Sequence, residues 1–326
     1  MDGHSPEAID PFALTDRPSA SIVVVSFNTR DHLRACLESA IGQDAVRIVV
    51  ADNGSTDGSI ELVERDFPSV LLSVDRTNPG YGAGANRGIA LCDGDVLLLN
   101  SDTRLAAGAL DGLHAYLRAH DRAGIVGPRL VDRAGRLQPS TFRFPSLLRP
   151  PVLRDPLVRL VRRVPGARER YLPTWSHTRT RTVPYVMGAA LMIRRAAFDP
   201  VGGFDESFFM YAEEIDLCWR LRCAGWETHF APVTDVVHEG RASTRQQPTE
   251  MLEQSAVSSI RFYKRRYSGL RLGVGLVILR VAMAARIARD LLRYLWTRDA
   301  GRRRGLAENV RVWRRVLSGR SVAAAR

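Results

Sequence analysis

The sequence predicts an α/β fold built on a mainly parallel sheet flanked by helices, and three observations support this prediction. Short apolar runs without polar alternation occur at 21–28, 46–51 and 95–100. Such runs are typical of strands buried on both faces of a parallel sheet. Segments with apolar residues at helical spacing separate the runs at short intervals, which is the pattern of βαβ units. The length of 326 residues, with 45% hydrophobic and 25% charged residues, suits one large globular domain or two ordinary ones.

The first elements alternate strictly between strand and helix. The run SIVVVSFN predicts a strand over 21–28, and apolar residues at helical spacing predict a helix over 30–42. A strand over 46–51, a helix over 57–66 and a strand over 69–74 follow. Because parallel strands need crossover connections, these helices are expected to lie on the faces of the sheet.

The later part of the pattern contains a segment rich in small residues and a second group of strands. Residues 78–88, NPGYGAGANRG, open a helix in a tight turn that lets a ligand approach the backbone closely. Residues 183–195 predict a buried strand pair, or a strand and a turn, with Gly188 allowing close approach. A helix over 211–225 and a short strand over 234–237 follow.

Composition disfavours several classes of protein. The 26 Gly and 17 Pro show no repeating period, and no apolar run reaches the roughly 18 residues that span a bilayer. Residues 1–19 are expected to be a polar leader rather than a secretory signal, because they lack a basic start and an apolar core. The four Cys form no CxxC pair, so reduced and mostly buried thiols are expected rather than a zinc site.

The net charge of +12 is concentrated near the end of the chain. Residues 261–326 contain eighteen Lys or Arg and three acidic residues, and residues 143–181 form a second Arg-rich cluster. Within 270–296, Arg286, Arg289 and Arg293 share one face of a predicted amphipathic helix. Such a helix favours contact with an anionic membrane surface, although packing on the body of the protein is an alternative. A nucleic-acid partner is disfavoured, because no recognition motif accompanies the charge.

Polar side chains follow three neighbouring strands of the predicted sheet. They are Ser26 and Asn28 after the first strand, Asp52 and Asn53 after the second, and Asn100, Ser101 and Asp102 after the fourth. Because ligands of parallel sheets bind at the carboxyl ends of strands, we expect these groups to form one site, although each residue type is also common in turns. Asp52 is suited to a ribose diol or a pyrimidine N–H, and the turn at Gly54 and Ser55 would leave its backbone N–H groups free.

Two groups of residues are suited to catalysis. Asp102, with His238 as a partner, is suited to hold Mg²⁺ or Mn²⁺ on a diphosphate; the alternative for Asp102 is the N-cap of a helix from Leu105. Three acids, Glu213, Glu214 and Asp216, lie in the first turn of the predicted helix over 211–225, where they also suit the helix dipole. A partly buried carboxylate beside other acids has a raised pKa and can act as a general base towards a sugar hydroxyl.

Seven segments together resemble family 2 inverting glycosyltransferases of the GT-A fold, in the rhamnosyltransferase-like branch. The segments are VVVSFN, VVADNGSTDGS, NPGYGAGANRGI, DVLLLNSDTRL, GIVGPRLVDRAGRLQPS, GAALMIRRAAFDPVGGFDESFFMYAEEIDLCWRLRCAGW and VVHEG. They run in family order over about residues 20–245. The resemblance implies that Asn28, Asp52 and Asn53 hold the nucleoside of a sugar donor and that Asn78, Gly80 and Asn86 line the donor pocket. It also implies that Asp102 and His238 bind the metal and that Glu214 is the base.

Two positions depart from the family pattern. Asn100 stands where the first acid of the DxD motif is expected, which weakens the implied metal site. The acidic pair reads Glu213-Glu214 rather than Glu-Asp, so its longer second side chain leaves Asp216 open as a base.

The chain is expected to divide into five segments, and the resemblance implies a function. They are a polar leader (1–19), a nucleotide-sugar-binding half (20–130), an Arg-rich variable segment (131–182), an acceptor and catalytic half (183–250) and a basic amphipathic helical tail (251–326). The expected reaction transfers a sugar, rhamnose from dTDP-rhamnose, to a lipid-linked or polysaccharide hydroxyl at the cytoplasmic face of the cell membrane. The alternatives are a UDP-sugar donor, a catalytically idle carbohydrate- or lipid-binding relative, and a nucleotidyltransferase.

Overall fold

The computed structural model describes residues 20–145, 175–240 and 248–297, together with residues 306, 307 and 310. The strands are β1 (Ala20–Ser26), β2 (Ile48–Asp52), β3 (Leu71–Val74), β4 (Asp95–Asn100), β5 (Thr103–Leu105), β6 (Ala123–Val131), β7 (Leu137–Gln138), β8 (Thr141–Phe142), β9 (Arg181–Val183), β10 (Tyr185–Val186), β11 (Ala190–Ile193) and β12 (Glu227–His238). The helices are α1 (Arg30–Ile41), α2 (Ser59–Asp66), α3 (Tyr81–Ile89), α4 (Ala109–Arg118), α5 (Arg195–Phe198), α6 (Glu213–Cys223), α7 (Pro248–Arg266) and α8 (Gly269–Thr297). Residues 1–19 and 146–174, for which a leader and most of an Arg-rich segment are predicted, lie outside the described residues, as does nearly all of the chain after 297.

The first four strands form a parallel unit in the order β3-β2-β1-β4. Their bounds, and those of α1 and α2, differ from the predicted bounds by at most two residues. The polar carboxyl ends of β1, β2 and β4 therefore share one edge of the sheet, as predicted. We call these ends, with the turns that follow them, the polar edge.

The second half of the sheet is more mixed than the sequence predicts. From β4 the order continues β11-β6-β12-β5, and β11 is antiparallel to both of its neighbours. β6 and β12 are parallel to one another, whereas β5 is antiparallel to β12. Strands from both predicted halves of the chain thus alternate in a single sheet, so the halves do not form separate sheets.

Two local predictions are corrected by the structure. Residues 103–105 form the edge strand β5, and α4 starts only at Ala109, so Asp102 does not cap a helix from Leu105. The strand predicted over 234–237 is the end of a longer strand, β12, which pairs with three others.

The reason that β1 and β4 are continuously apolar is that helices cover both faces of the sheet. Ile22 and Val24 point into one buried cluster with the apolar side chains of α1, α2 and α4. Val23 and Val25 point into the other cluster with side chains of α3, α5 and α6. Each apolar residue of β1 is thus removed from water, which contributes roughly 1.5–3 kcal/mol for a large aliphatic side chain.

The described parts of the Arg-rich segment belong to the body of the protein. Trp175 and His177 are almost fully buried, and the Trp175 indole N–H donates to the Thr141 hydroxyl at 2.8 Å. His177 completes this cluster, with its Nε2 lying 3.0 Å from the same hydroxyl oxygen. The cluster anchors residues 175–183 beside β12, to which β9 is paired.

The tail begins with two helices that differ in their surroundings. α7 packs on the body: Phe262 and Tyr263 are buried, and the Ser258 hydroxyl donates to the Met210 carbonyl at 2.8 Å. α8 covers the predicted amphipathic helix and exposes large apolar side chains. None of the helices among the described residues has both the length and the apolar character needed to cross a bilayer. The four Cys are free thiols, three of them buried.

Candidate functional site

The turn after β2 is organised by Asp52, whose carboxylate is fully buried. Its Oδ1 accepts the backbone N–H groups of Gly54 and Ser55 at 2.9 and 2.7 Å, and its Oδ2 accepts the Ser55 hydroxyl at 2.7 Å. The expectation that these two N–H groups are free is therefore wrong, because the Asp52 carboxylate takes both. Asp52 therefore holds the turn in shape through these three hydrogen bonds.

A chain of hydroxyls ties the ends of β1 and β4 together. Thr29 Oγ1 lies 2.7 Å from Ser101 Oγ and 3.5 Å from Ser26 Oγ, and all three residues are buried. Asn28 has a left-handed backbone (φ 51°), and its Oδ1 accepts the Thr56 N–H at 2.8 Å. Two of the predicted strand ends thus meet through a residue, Thr29, that the sequence analysis did not single out.

The start of α3 is held against two other parts of the protein. A Cβ on Gly80 would lie 2.3 Å from the Phe209 carbonyl oxygen, and Gly80 has φ 104°, so this position requires glycine. Asn53 Nδ2 donates to the Gly80 carbonyl at 3.0 Å. Asn78, two residues earlier, also has a left-handed backbone (φ 49°).

The Asn86 amide clamps the loop before α6. Its Nδ2 donates to the Phe204 carbonyl and to a Glu206 carboxylate oxygen, and its Oδ1 accepts the Phe204 N–H, each at 2.9 Å. The side chain of Asn86 thus holds this loop against α3.

The pair of Asp102 and His238 is assembled by the pairing of β5 with β12. His238 stands opposite Thr103 in this antiparallel pair, which brings it next to the turn at Asp102. His238 Nε2 lies 3.3 Å from Asp102 Oδ1, both side chains are about 8% exposed, and the Glu239 N–H donates to the Asp102 carbonyl at 3.0 Å. The two predicted metal ligands, 136 positions apart in the sequence, therefore lie side by side.

The donor set of this pair fits a divalent cation. The other ring nitrogen of His238, Nδ1, lies 2.9 Å from Gln138 Oε1, so each ring nitrogen faces an oxygen. A cation shared by Nε2 and the Asp102 carboxylate fits this arrangement, and a hydrogen bond at Nδ1 is the usual way in which proteins orient a ligating imidazole. Among the described residues no group of three His, Cys, Asp or Glu gathers at one point.

In the acidic pair at the start of α6, Glu213 is buried and Glu214 is half-buried. Burial raises the pKa of Glu214 to about 7, and burial together with the charge of Glu214 raises the pKa of Glu213 well above its usual range. Within the described residues Glu213 Oε2 has no hydrogen-bond partner. Burial therefore favours the protonated form of Glu213, whereas the pKa of Glu214 lies in the range in which a general base works best.

Asp216 lies in a different environment. Its carboxylate accepts a hydrogen bond from Arg220 Nε at 2.7 Å, and Arg265 of α7 lies 3.8 Å away. The residue is buried in this ion-paired arrangement. These contacts hold α6 and α7 together, and they occupy the carboxylate that was the remaining alternative for the base.

Tyr81 shows that the acidic pair and the end of β4 converge. Burial, and then the negative charges of Glu213, Glu214 and Asp102, raise the pKa of its phenol well above the usual value. Its hydroxyl donates to the Gly188 carbonyl at 3.0 Å, and a Cβ on Gly188 would lie 3.5 Å from Glu214 Cγ. Two carboxylates from α6 and one from the turn after β4 therefore lie near enough to act electrostatically on one phenol.

The backbone immediately before the acidic pair is strained. Tyr211 and Ala212 both have left-handed conformations, with φ of 68° and 67°. Two consecutive non-glycine residues of this kind cost of order 1–3 kcal/mol each and persist where the surroundings hold them, often at functional sites. Here they set the start of α6, so that Glu213 and Glu214 follow directly.

A small cavity adjoins Glu214 on the side of α7. We call it the Glu214 cavity, and its volume is about 170 Å³. It is lined by Pro145, Tyr185, Tyr211, Ala212, Glu214, Ile215, Ser255, Ser259 and Phe262. Glu214 thus lies between Gly188, on the side of the polar edge, and a cavity whose far wall belongs to α7.

The sequence analysis missed several residues that build this site: Thr29, Tyr81, Gln138 and the cavity residues of α7. Tyr81 carried a signal, because it interrupts a run of small residues. Gln138 and Ser259 carried no such signal in the sequence, because their positions near the site depend on which strand or helix packs beside them.

Comparison with solved structures shows the class of protein. A mannosyltransferase from Pyrobaculum calidifontis, solved in complex with GDP-Man and Mn²⁺, superposes with a TM-score of 0.53 at 17% identity, over 93% of this chain and 88% of that chain. The structure of GalNAc-T7, solved with UDP, GalNAc and Mn²⁺, superposes with a TM-score of 0.50 at 17% identity, over 68% of this chain and 43% of that chain. The protein therefore has the GT-A fold of glycosyltransferases.

Sequence comparison shows the family. The family model described as Glycosyl transferase family 2 matches residues 21–202, more than half of the chain. The chain is 33% identical over 270 residues to N-acetylglucosaminyl-diphospho-decaprenol L-rhamnosyltransferase of Mycobacterium tuberculosis, covering 76% of this chain and 85% of the relative. It is 26% identical over 257 residues to rhamnosyltransferase WbbL of Escherichia coli K12, covering 75% of this chain and 92% of the relative. The chain belongs to glycosyltransferase family 2, in its rhamnosyltransferase-like branch.

Proposed function

We propose that this glycosyltransferase acts by a single displacement with inversion at the anomeric carbon. Glu214 takes the proton of an acceptor hydroxyl, and the acceptor oxygen attacks the anomeric carbon from the face opposite the nucleotide. The bond from that carbon to the diphosphate oxygen breaks, and a nucleoside diphosphate leaves. The observation that carries the proposal is the Glu214 carboxylate, with a pKa of about 7, between the polar edge and a cavity.

The donor in this proposal is a nucleoside-diphosphate sugar bound along the polar edge. Support comes from the turn organised by Asp52 and from the left-handed Asn28 beside it, which present short polar groups and backbone at the ends of β1 and β2. The two relatives named above are rhamnosyltransferases. We therefore propose L-rhamnose as the sugar and deoxythymidine diphosphate as the leaving group.

Asp102 and His238 would hold a divalent cation on the donor diphosphate. Because the pair combines a carboxylate oxygen with an imidazole nitrogen, it suits Mn²⁺ at least as well as Mg²⁺, which prefers oxygen ligands. When bound, such a cation supplies positive charge where the leaving diphosphate gains negative charge. The Mn²⁺ in the two solved GT-A structures is in keeping with this proposal.

The proposed acceptor is a sugar linked through diphosphate to a polyprenol. The Mycobacterium tuberculosis relative is named for such an acceptor, N-acetylglucosaminyl-diphospho-decaprenol. We propose the same class of acceptor for this chain.

The proposal predicts that dTDP-rhamnose and an N-acetylglucosaminyl-diphospho-lipid together release dTDP, and that UDP-sugars are poorer donors. Release of nucleoside diphosphate is measured for a panel of donors, with and without EDTA and added Mn²⁺. A nucleotidyltransferase would instead release pyrophosphate, and a catalytically idle relative would bind donor without releasing either product. Either of those outcomes contradicts the proposed function.

We further propose that α8 places the enzyme at the cytoplasmic face of the cell membrane. Along one face of α8, the side chains of Leu270, Val274, Val277 and Val281 are 47–84% exposed, and Leu295 continues the stripe at 59%. The exposed residues Arg271, Arg280 and Arg289 flank this stripe. An apolar stripe with flanking Arg is suited to lie in a membrane interface among anionic headgroups.

This membrane contact predicts that the full chain binds vesicles containing phosphatidylglycerol and that binding weakens with salt. The double substitution Val277→Asp with Leu292→Asp is expected to lower vesicle binding at least tenfold, because two exposed apolar side chains lose their interfacial burial. Val46→Asp is the matched control, since Val46 is 59% exposed on the body of the protein. Sedimentation with vesicles measures the effect, and equal binding by the double variant and the wild type would contradict the contact.

A further inference from the structure

Most residues that line the Glu214 cavity follow the matched family segment, and three of them belong to α7. The family model ends at residue 202, whereas Ser255, Ser259 and Phe262 belong to α7. The opposite wall contains Tyr185 and Tyr211. The cavity therefore exists only because α7 packs against the residues that precede and begin α6.

Several contacts hold α7 in this position. The Ser258 hydroxyl donates to the Met210 carbonyl at 2.8 Å, directly before the strained residues Tyr211 and Ala212. Arg265 forms an ion pair with Asp205. The Arg266 guanidinium lies 3.7 Å from the centre of the Trp219 ring, within the range of a strong cation–π contact. These contacts fix α7 at both the loop before α6 and the outer face of α6.

The chemistry of the cavity is suited to a sugar ring. Aromatic rings supply broad apolar contact, and the Ser255 and Ser259 hydroxyls supply hydrogen-bonding groups at the opposite side. The Ser259 hydroxyl donates to the Ser255 carbonyl at 2.7 Å, which leaves its oxygen able to accept a further hydrogen bond. A volume of about 170 Å³, roughly the share of six water molecules in the liquid, suits a single ring rather than a longer glycan.

We infer that the Glu214 cavity binds the terminal sugar of the acceptor and that α7 determines which sugar is accepted. This inference rests on the proposed function, because it assigns the acceptor side of the same reaction. The carboxylate that would take the proton lines the cavity, so an acceptor ring held there presents a hydroxyl to Glu214. Ser255 and Ser259 are the specificity-determining residues, through hydrogen bonds to polar substituents of that ring.

The test compares Ser259→Leu and Ser255→Leu with the wild-type full chain. With dTDP-rhamnose and a short-prenyl N-acetylglucosaminyl-diphospho-lipid as probes, each substitution is expected to raise the KM for the lipid at least tenfold, because the larger side chain fills the cavity. The KM for dTDP-rhamnose is expected to stay within twofold. Ser259→Ala, which removes only the hydroxyl, is expected to have a smaller effect on the same constant.

Lys264→Leu is the matched control, since Lys264 is exposed on the same helix and does not line the cavity. Ser255 is exposed, so its variant keeps the test valid if Ser259→Leu folds poorly. Calorimetric titration of the lipid probe into the dTDP-bound protein measures acceptor binding without turnover. An unchanged lipid KM in both Leu variants of an active enzyme overturns this inference alone, whereas a wild type that neither turns over nor binds the lipid overturns the proposed function as well.

Discussion

Glu214→Gln is expected to lower kcat by about 10²–10⁴-fold, because it removes the only group proposed to take the acceptor proton. The amide keeps the size of the side chain and its place over Gly188, so donor binding is expected to persist. Rates of dTDP release and calorimetric binding of dTDP measure the two effects separately. A loss of donor binding equal to the loss of kcat would contradict the assignment of Glu214 to the acceptor side.

The raised pKa of Glu214 also predicts the pH dependence of the reaction. The base must be ionised to accept a proton, so kcat is expected to fall about tenfold per pH unit below pH 7 and to level off above it. The residual activity of Glu214→Gln is expected not to show this decrease of kcat below pH 7. A rate profile measured from pH 5 to pH 9 tests both expectations, and a wild-type rate that is flat across pH 7 would contradict them.

The same substitution is expected to stabilise the fold while it removes activity. In the unfolded chain the pKa of Glu214 is near the ordinary value of 4.5, whereas in the folded protein its pKa is about 7, so its ionisation destabilises the folded state. Its contribution to the free energy of unfolding is most favourable below pH 4.5 and is lost as the pH rises through 7. Above pH 7, Glu214→Gln is expected to gain on the order of 1–3 kcal/mol, seen as a raised Tm at pH 8 but not at pH 4.

Two further substitutions separate the roles of the acids of α6. Glu213→Gln is expected to have a milder effect on kcat than Glu214→Gln, because burial favours the protonated form of Glu213, which the neutral amide resembles. Asp216→Asn is expected to lower Tm through its lost ion pair with Arg220 more than it lowers kcat. Glu64→Gln is an exposed control on α2. If Asp216→Asn abolishes turnover at unchanged Tm, Asp216 rather than Glu214 is the base.

Asp102→Asn is expected to lower kcat/KM by about 10²-fold or more. The substitution removes the carboxylate that would share a divalent cation with His238, and positive charge at a leaving diphosphate contributes several kcal/mol to transition-state stabilisation. A higher Mn²⁺ concentration is expected to be needed for half-maximal activity. Titration of activity with Mn²⁺ after removal of metal by EDTA measures this shift.

Two further variants serve as comparisons for the Asp102→Asn prediction. Asp93→Asn, at an exposed position before β4, is the matched control. Gln138→Leu removes the partner of His238 Nδ1 and is expected to weaken Mn²⁺ activation about 10–100-fold without touching either proposed ligand. Full activity in EDTA, together with wild-type activity of Asp102→Asn, would overturn the metal assignment.

Much of the architecture follows from local patterns in the chain. Apolar runs such as 95–100 give strands at the predicted positions, because a segment apolar on both faces is stable only inside a covered sheet. The acids of the first turn of α6 were likewise identified from spacing alone. The mixed strand order in the second half of the sheet was not predicted, because the antiparallel placement of β11 beside β4 depends on long-range pairing.

Local sequence therefore specifies which segments become strands and helices and which polar residues follow them, because these features depend on neighbours a few positions apart. It does not specify that His238 meets Asp102, that Asp216 is neutralised by Arg220 and Arg265, or that α7 closes a cavity beside Glu214. Those contacts join residues from distant segments, and burial among them separates the pKa of Glu214 from that of an ordinary carboxyl. Chemically similar acids thus acquire different roles only when the chain has packed.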